Sequence, residues 1–314
     1  MTLMDEILEI TPGDGSPIND WFIDKLKWHI KLGVYPTKKK LESTAFKLVK
    51  QLGDYRKDHK LDDVVIGMSG GVDSATTAAL FKEAGWHVHG VTLPIHQKME
   101  ETVRGIEAID MLRLERYEFD LSEPYDFLKD YLAETETTYR GLQRQGNIRA
   151  RLRMMTLYNL AHKLGGCVGS TDNFSELAAG FWTLHGDVGD VAPIQSLSKS
   201  WEVPMTARIM GVPEPTISAL PTDGLGISNS DADQLGMQYI EFDIFLFEFM
   251  SLPRLTPKAV GTYINKIKDV DVKNKAQLAY NRIRNTAYKR NNPLNLTHPV
   301  FKDRFEQLDK LDRS

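Results

Sequence analysis

The sequence contains one cysteine, no Cys-X-X-Cys pair and no Cys/His cluster. That excludes an intramolecular disulfide and leaves no thiolate ligand set for a structural zinc. Cys167 lies between Gly166 and Val168 in an apolar run, the setting of a small buried hydrophobe rather than a nucleophile. Long apolar runs are also missing. The best, Ile244 to Met250, is interrupted by Glu248 and falls well short of the ~18 residues that span a bilayer. Nor does charge of one sign dominate. The 39 Lys and Arg against 43 Asp and Glu give a net −4, so no global basic field exists to draw nucleic acid. Asp5, Glu6 and Glu9 give the start the wrong sign for a signal or transit peptide. We find no internal repeat and no long low-complexity segment. The expectation is a soluble protein of a reducing compartment, placed in the cytoplasm, with neither nucleic acid nor membrane as partner.

What remains is ordinary globular composition, 41% hydrophobic and 26% charged over 314 residues. It allows one large α/β domain or two smaller ones, at roughly 100–200 residues each. Thr11-Pro-Gly-Asp-Gly-Ser-Pro17 marks residues 1–20 as a flexible or wrapping arm. Phe22, Leu26 and Ile30 recur at helical spacing, with Asp20 as the N-cap. Leu41, Phe46, Leu48, Val49 and Leu52 give a second amphipathic segment, and Lys38-Lys39-Lys40 reads as its solvated start. The centre alternates between the two periods. Strands are expected at 63–67, 88–93, 116–119 and 166–169, with helices at 74–84, 99–112, 124–139, 147–164 and 173–181. This order implies a doubly wound, mostly parallel sheet of the α/β class, flanked by N- and C-terminal helices. Further helices are expected at 256–267 and 276–288. In such sheets ligands bind beyond the strand C-termini.

The first strand runs directly into Gly67-Met-Ser-Gly-Gly-Val-Asp-Ser74, and a helix follows at once. Glycines there let backbone N–H groups turn toward an anion, and the helix start adds free donors and a positive dipole end. Phosphate or pyrophosphate is the expected guest. Ser69 and Ser74 add hydroxyls, and Asp73 puts a carboxylate where it could hold Mg²⁺. The loop is neither GxxxxGK[ST] nor GxGxxG, so kinase-style γ-phosphate transfer is disfavoured. A plain strand-to-helix turn capped by Ser69 or Asp73 is the alternative.

Ser69-Gly-Gly-Val-Asp-Ser74 resembles the pyrophosphate-binding loop of the N-type ATP pyrophosphatases. Four later segments resemble one member family, the NAD synthetases. They are Gly146-Asn-Ile-Arg-Ala-Arg-Leu-Arg-Met154, read as a helix start, and Ser170-Thr-Asp-Asn-Phe-Ser-Glu176. Next comes Gly180-Phe-Trp-Thr-Leu-His-Gly-Asp187 with Pro193-Ile-Gln-Ser-Leu-Ser-Lys199, and last Pro221-Thr-Asp-Gly-Leu225 with Gln234-Leu-Gly-Met-Gln-Tyr239. Tyr288-Lys-Arg-Asn-Asn-Pro293 is a weaker echo.

This resemblance implies an adenine nucleotide alpha hydrolase-like fold and an ammonia-dependent NAD synthetase. Such an enzyme adenylylates deamido-NAD with ATP, releases pyrophosphate, then exchanges AMP for ammonia. It implies an ATP site of Gly67, Met68, Ser69, Gly70, Gly71, Val72, Asp73, Ser74, Thr171, Lys199 and Thr222. Asp73 and Glu176 would be Mg²⁺ ligands. Arg151, Asp190, Tyr288 and Lys289 would bind deamido-NAD, with Ser69 and Asp187 at the ammonia step. Residues 1–60 would form an arm and helices, 61–245 the core, and 246–314 a helical segment completing the same domain, with both flanking segments contributing to a homodimer. About 60 residues before the loop are too few for a nitrilase-like glutaminase, so free ammonia is expected, a separate glutaminase subunit being the other source. The chain departs from the family pattern at Leu184, where a deamido-NAD lysine is usual, at His185 and Ser170, and at Thr92, where an arginine is usual. Another adenylylating amidase or sulfur transferase of the superfamily, or a non-catalytic nucleotide-binding module, remain the alternatives.

Overall fold

The computed structural model describes residues 2–292 except 14, 133, 134, 223, 229 and 291. Asp14, Asp223, Asn291 and Pro293 of the segments above, and the stretch from 293 to 314, lie outside the described residues.

Of the flexible or wrapping arm expected, the wrapping form is found, and it begins with helix α1 (Leu3–Ile10). Thr2 and Asp5 form a capping box, and Ile7 and Ile10 are buried. The arm is tied down at Thr11, whose hydroxyl donates to the Ser200 carbonyl at 2.8 Å. In α2 (Asp20–Lys31) the cap is Asn19, not Asp20, because Asn19 keeps the non-helical backbone and accepts from the Trp21 N–H at 2.9 Å. Helix α3 (Lys38–His59) starts at Thr37 with its three lysines exposed, as expected. Leu41, Ala45 and Leu52 form its buried stripe. Phe46 falls off that stripe and is 56% exposed.

Strand β1 (Asp63–Gly67) has Val64, Val65 and Ile66 fully buried, as a strand covered on both faces requires. Val64 and Ile66 pack with α3 and with α4 (Val72–Glu83); Val65 faces the opposite side. Next come β2 (His87–Thr92), α5 (Met99–Met111), β3 (Glu115–Glu118) and α6 (Ser122–Tyr131). Helix α7 (Tyr139–Leu164) covers the Val65 face with Leu152, Leu157 and Leu160. The chain then enters β4 (Cys167–Val168). The sheet is parallel, in the order β3-β2-β1-β4, with Val64 opposite both Val88 and Cys167.

The boundary between α6 and α7 differs from expectation. Helix α6 ends at Tyr131, and α7 begins at its Thr138 cap, so Gly146–Met154 lies inside a long helix rather than at its start. Gly146 serves close approach instead of termination: a Cβ there would come within 2.9 Å of the Ile227 side chain.

The remaining elements are α8 (Phe174–Ala179), α9 (Glu202–Ile209), α10 (Glu214–Ile217), α11 (Asp231–Leu235) and α12 (Tyr239–Met250). They are followed by α13 (Pro257–Lys266), α14 (Val270–Asn285) and α15 (Ala287–Arg290). Helix α14 starts at the Asp269 cap, earlier than expected, and Thr286 separates it from α15. Helix α12 is buried almost all round. Its Phe245 ring meets Phe22 of α2 edge-on at 5.1 Å, and Glu248 pairs with Lys25 and His29. Among the described residues no helix is long and apolar enough to cross a membrane.

Candidate active site

A cavity of about 570 Å³ opens where the chain leaves β1, and the glycine loop forms part of its wall. The Met68 N–H donates to the Val91 carbonyl at 2.8 Å, which carries the parallel pairing one residue into the loop. Gly70 has φ +83°, and a Cβ on it would lie 2.3 Å from the Glu101 carbonyl oxygen. Only glycine fits that position. The Ser69 and Ser74 hydroxyls are 3.3 Å apart, and Ser69 Oγ accepts from the Gly71 N–H. Helix α4 starts at Gly71 with no side-chain cap. The plain capped turn therefore does not form, and the N–H groups of the first turn stay available to an anion.

Asp73 stands in that first turn. Its Oδ1 accepts from Asn173 Nδ2 at 2.9 Å, and its Oδ2 from Lys199 Nζ. Asn173 also caps α8 and forms a capping box with Glu176, which places Glu176 beside Asp73. The Lys199 ammonium lies 3.5 Å from Glu176 Oε1 with only 5% of its side chain exposed. Lys199 is itself held by its backbone N–H, which donates to Ser175 Oγ at 2.9 Å. Burial raises the Glu176 pKa well above the usual carboxylate value, and the neighbouring Asp73 charge adds to it. Burial opposes the Lys199 charge, yet Asp73 and Glu176 together hold its pKa above the ordinary lysine value.

Of the residues expected to bind ATP, all but Gly70 line the cavity. Thr222 donates to Glu101 Oε1 at 3.0 Å, linking its loop to α5. The other half of the cavity carries Arg151, Asp187, Tyr288 and Lys289. Arg151 Nε donates to the Leu184 carbonyl at 3.2 Å, so the backbone of the departing residue holds the arginine. Asp187 accepts from the Thr183 N–H, and burial raises its pKa despite that bond. Lys289 Nζ donates to the Gly180 and Trp182 carbonyls, and burial lowers its pKa. Tyr288 is 63% exposed at the rim.

Asp190 is not brought to the cavity. Its carboxylate accepts from Tyr158 Oη at 2.7 Å and from the Val168 N–H at 2.8 Å, bracing β4 from outside. His185 is exposed, with φ +58°. Asp172 and Asp231 line the cavity without having been singled out. Asp231 accepts from Tyr239 Oη at 3.0 Å, and Asp172 bonds Ser170 and Gln195. Asp172 could have been found, since it stands inside the Ser170–Glu176 segment; nothing near Asp231 marks it.

Parallel strands that feed a glycine loop, with an uncapped helix start behind it, define a phosphate-binding protein of the α/β class. The comparisons narrow this. The family model of NAD synthase matches residues 44–293, and the chain belongs to that family. It is 31% identical over 255 residues to the NH(3)-dependent NAD(+) synthetase of Pyrococcus furiosus, covering 79% of this chain and 93% of that one. To the protein of the same name from Alkaliphilus oremlandii it is 36% identical over 191 residues, 58% of this chain and 76% of the other. Among solved structures it is similar to NMN synthetase from Francisella tularensis, with TM-score 0.67 and 29% identity over 84% of this chain and 99% of that one. The expected adenine nucleotide alpha hydrolase-like architecture is the one that such neighbours share.

Proposed function

We propose that the protein is an ammonia-dependent NAD synthetase, forming the amide of NAD from deamido-NAD, ATP and ammonia. The observation that carries this reading is the meeting of Asp73, Glu176 and Lys199 behind the glycine loop. In the first step a nicotinate carboxylate oxygen attacks the α-phosphorus of ATP. The bond to the bridging oxygen breaks, and pyrophosphate leaves an acyl adenylate. Ammonia then attacks the acyl carbon, AMP departs with the electron pair, and the nitrogen sheds one proton.

The N–H groups and hydroxyls of 67–74, with Thr171, Thr222 and Lys199, bind and orient ATP. Asp73 and Glu176 fit Mg²⁺: one buried ammonium already draws both carboxylates toward it. Such an ion takes one or two carboxylates plus substrate phosphates, and these two side chains would supply the carboxylates. When bound, Mg²⁺ supplies neutralisation of phosphate charge. Arg151, Tyr288 and Lys289 orient the nicotinate substrate. Asp190 would act indirectly, by bracing β4. Asp187, whose pKa burial raises, takes the proton from the attacking nitrogen, with Ser69 positioning it.

A homodimer is part of this reading. Phe127 and Tyr131 of α6 stack at 6.2 Å and are exposed, as are Tyr139, Met155 and Tyr158 of α7, an apolar surface suited to a second copy. The ion pairs of Glu248 and the bond from Trp201 Nε1 to the Pro36 carbonyl support residues 1–60 and 246–292 as parts of the core's own domain. We place the enzyme in the cytoplasm, using free ammonia.

Two observations favour a second reading on the same site. A similar structure is named an NMN synthetase, and Leu184 stands where a deamido-NAD lysine is usual. The acid would then be the mononucleotide. Supplying ATP, Mg²⁺ and ammonium with either acid, and separating the products by chromatography, decides. Faster NAD formation supports the first reading, faster NMN formation the second, and neither amide overturns both.

A further inference from the structure

Arg104 of α5 lines the cavity beside the glycine loop, and its Nε donates to the Gly70 carbonyl at 3.3 Å. Packing leaves little freedom in this approach. A Cβ on Gly70 would lie 2.3 Å from the Glu101 carbonyl oxygen, and one on Gly105 would lie 2.6 Å from the Met68 carbonyl oxygen. Two glycines thus let helix and loop backbones touch, and the arginine between them is fixed relative to the loop. The Cβ of Arg104 itself would stand 3.2 Å from a Gly70 Cβ.

The other cations nearby are engaged. Lys199 is shared by Asp73 and Glu176, and Lys289 is bound to two carbonyls. Arg153 donates to the Leu93 and Gly224 carbonyls and to Gln97. Arg104 differs. Among the described residues, its two terminal nitrogens have no protein partner, and no carboxylate lies within ion-pair distance of it. A guanidinium anchored through Nε presents the remaining edge as a two-pronged donor, the geometry that phosphate oxygens accept.

We infer that Arg104 binds the β- and γ-phosphates of ATP and remains on pyrophosphate after the α–β bond breaks. No sequence motif pointed to this residue. The inference rests on the reading of the cavity as an ATP site and adds a phosphate ligand to it.

Calorimetric titration of the whole protein with ATP, with pyrophosphate and with AMP, each with Mg²⁺, separates the two claims. Arg104→Ala should weaken ATP and pyrophosphate about tenfold to a hundredfold, the worth of a charge-assisted hydrogen bond or two. AMP should change less than twofold. Arg104→Lys, which keeps the charge without the fork, should recover part of the loss. Should Arg104→Ala unfold, Arg104→Gln keeps the bulk and gives the same comparison. A wild-type protein that binds no ATP overturns the reading of the site. Wild-type binding with ATP and pyrophosphate affinities within twofold in the variants overturns the inference alone. Equal weakening of AMP and pyrophosphate also overturns it, since that marks general damage to the loop.

Discussion

Lys199 donates to Asp73 across 126 positions of sequence, and the same ammonium lies 3.5 Å from Glu176. One cation therefore holds together two largely buried carboxylates that would otherwise repel each other. Removing the cation should cost about 3–5 kcal/mol, because the buried carboxylates lose the charge that compensates them. Lys199→Met is expected to melt earlier than wild type and to regain part of the difference when Mg²⁺ is added. Thermal denaturation with and without Mg²⁺ measures both effects. A variant that melts as the wild type does would remove the proposed metal-binding pair.

The carboxylates themselves should matter for chemistry more than for folding. Asp73→Asn and Glu176→Gln keep size and relieve repulsion, so the fold should hold. AMP formation should fall about a hundredfold or more, the scale seen when one electrostatic contact to a transition state is lost. Steady-state rates alongside circular dichroism test this. Wild-type turnover in both variants would contradict the assignment.

Leu184 lines the cavity, and its carbonyl holds Arg151. Leu184→Lys would add a cation to the nicotinate half while leaving that backbone contact intact. The KM for the dinucleotide acid should drop about tenfold, and the KM for ATP should stay put. An unchanged KM for both would place the acid elsewhere.

Glu248 ties α2 to α12 and α13 through Lys25, His29 and Tyr263. Burial alone would raise its pKa, but the bonds from His29, Lys25 and Tyr263 prevail and hold it down at about 2. A carboxyl whose folded pKa lies below its unfolded value stabilises the fold above the unfolded pKa. That contribution disappears as pH falls toward the folded pKa. Stability should therefore fall as pH drops from the ordinary glutamate range toward about 2. Glu248→Gln should flatten the part of the curve due to this group. Urea melts across that window, on both proteins, give the comparison.

The strand, loop and helix around Asp73 were legible because local demands coincide there: an apolar run, glycines that must take unusual backbone angles, and a helix that follows at once; that the helix starts uncapped only the structure shows. Glu176 was legible through its segment, and the capping box with Asn173 explains how one side chain can both close a helix and face the cavity. Less was visible where a residue's meaning depends on a distant partner. Gly146 looks like a helix start but exists to let Ile227 approach. Helix α1 hides in a short segment whose Ile7 and Ile10 gain from helix formation only once docked on the rest. Asp190 stood in the expected motif, yet Tyr158 and Val168 claim its carboxylate. Arg104 lies outside every motif; only the contact of two glycines reveals it.

The most direct test follows amide, AMP and pyrophosphate in one reaction, with and without ammonium. All three should appear in equal amounts, and amide formation should stop when ammonium is withheld. Amide formed without AMP, or ammonium consumed without ATP cleavage, would contradict adenylylation as the activating step.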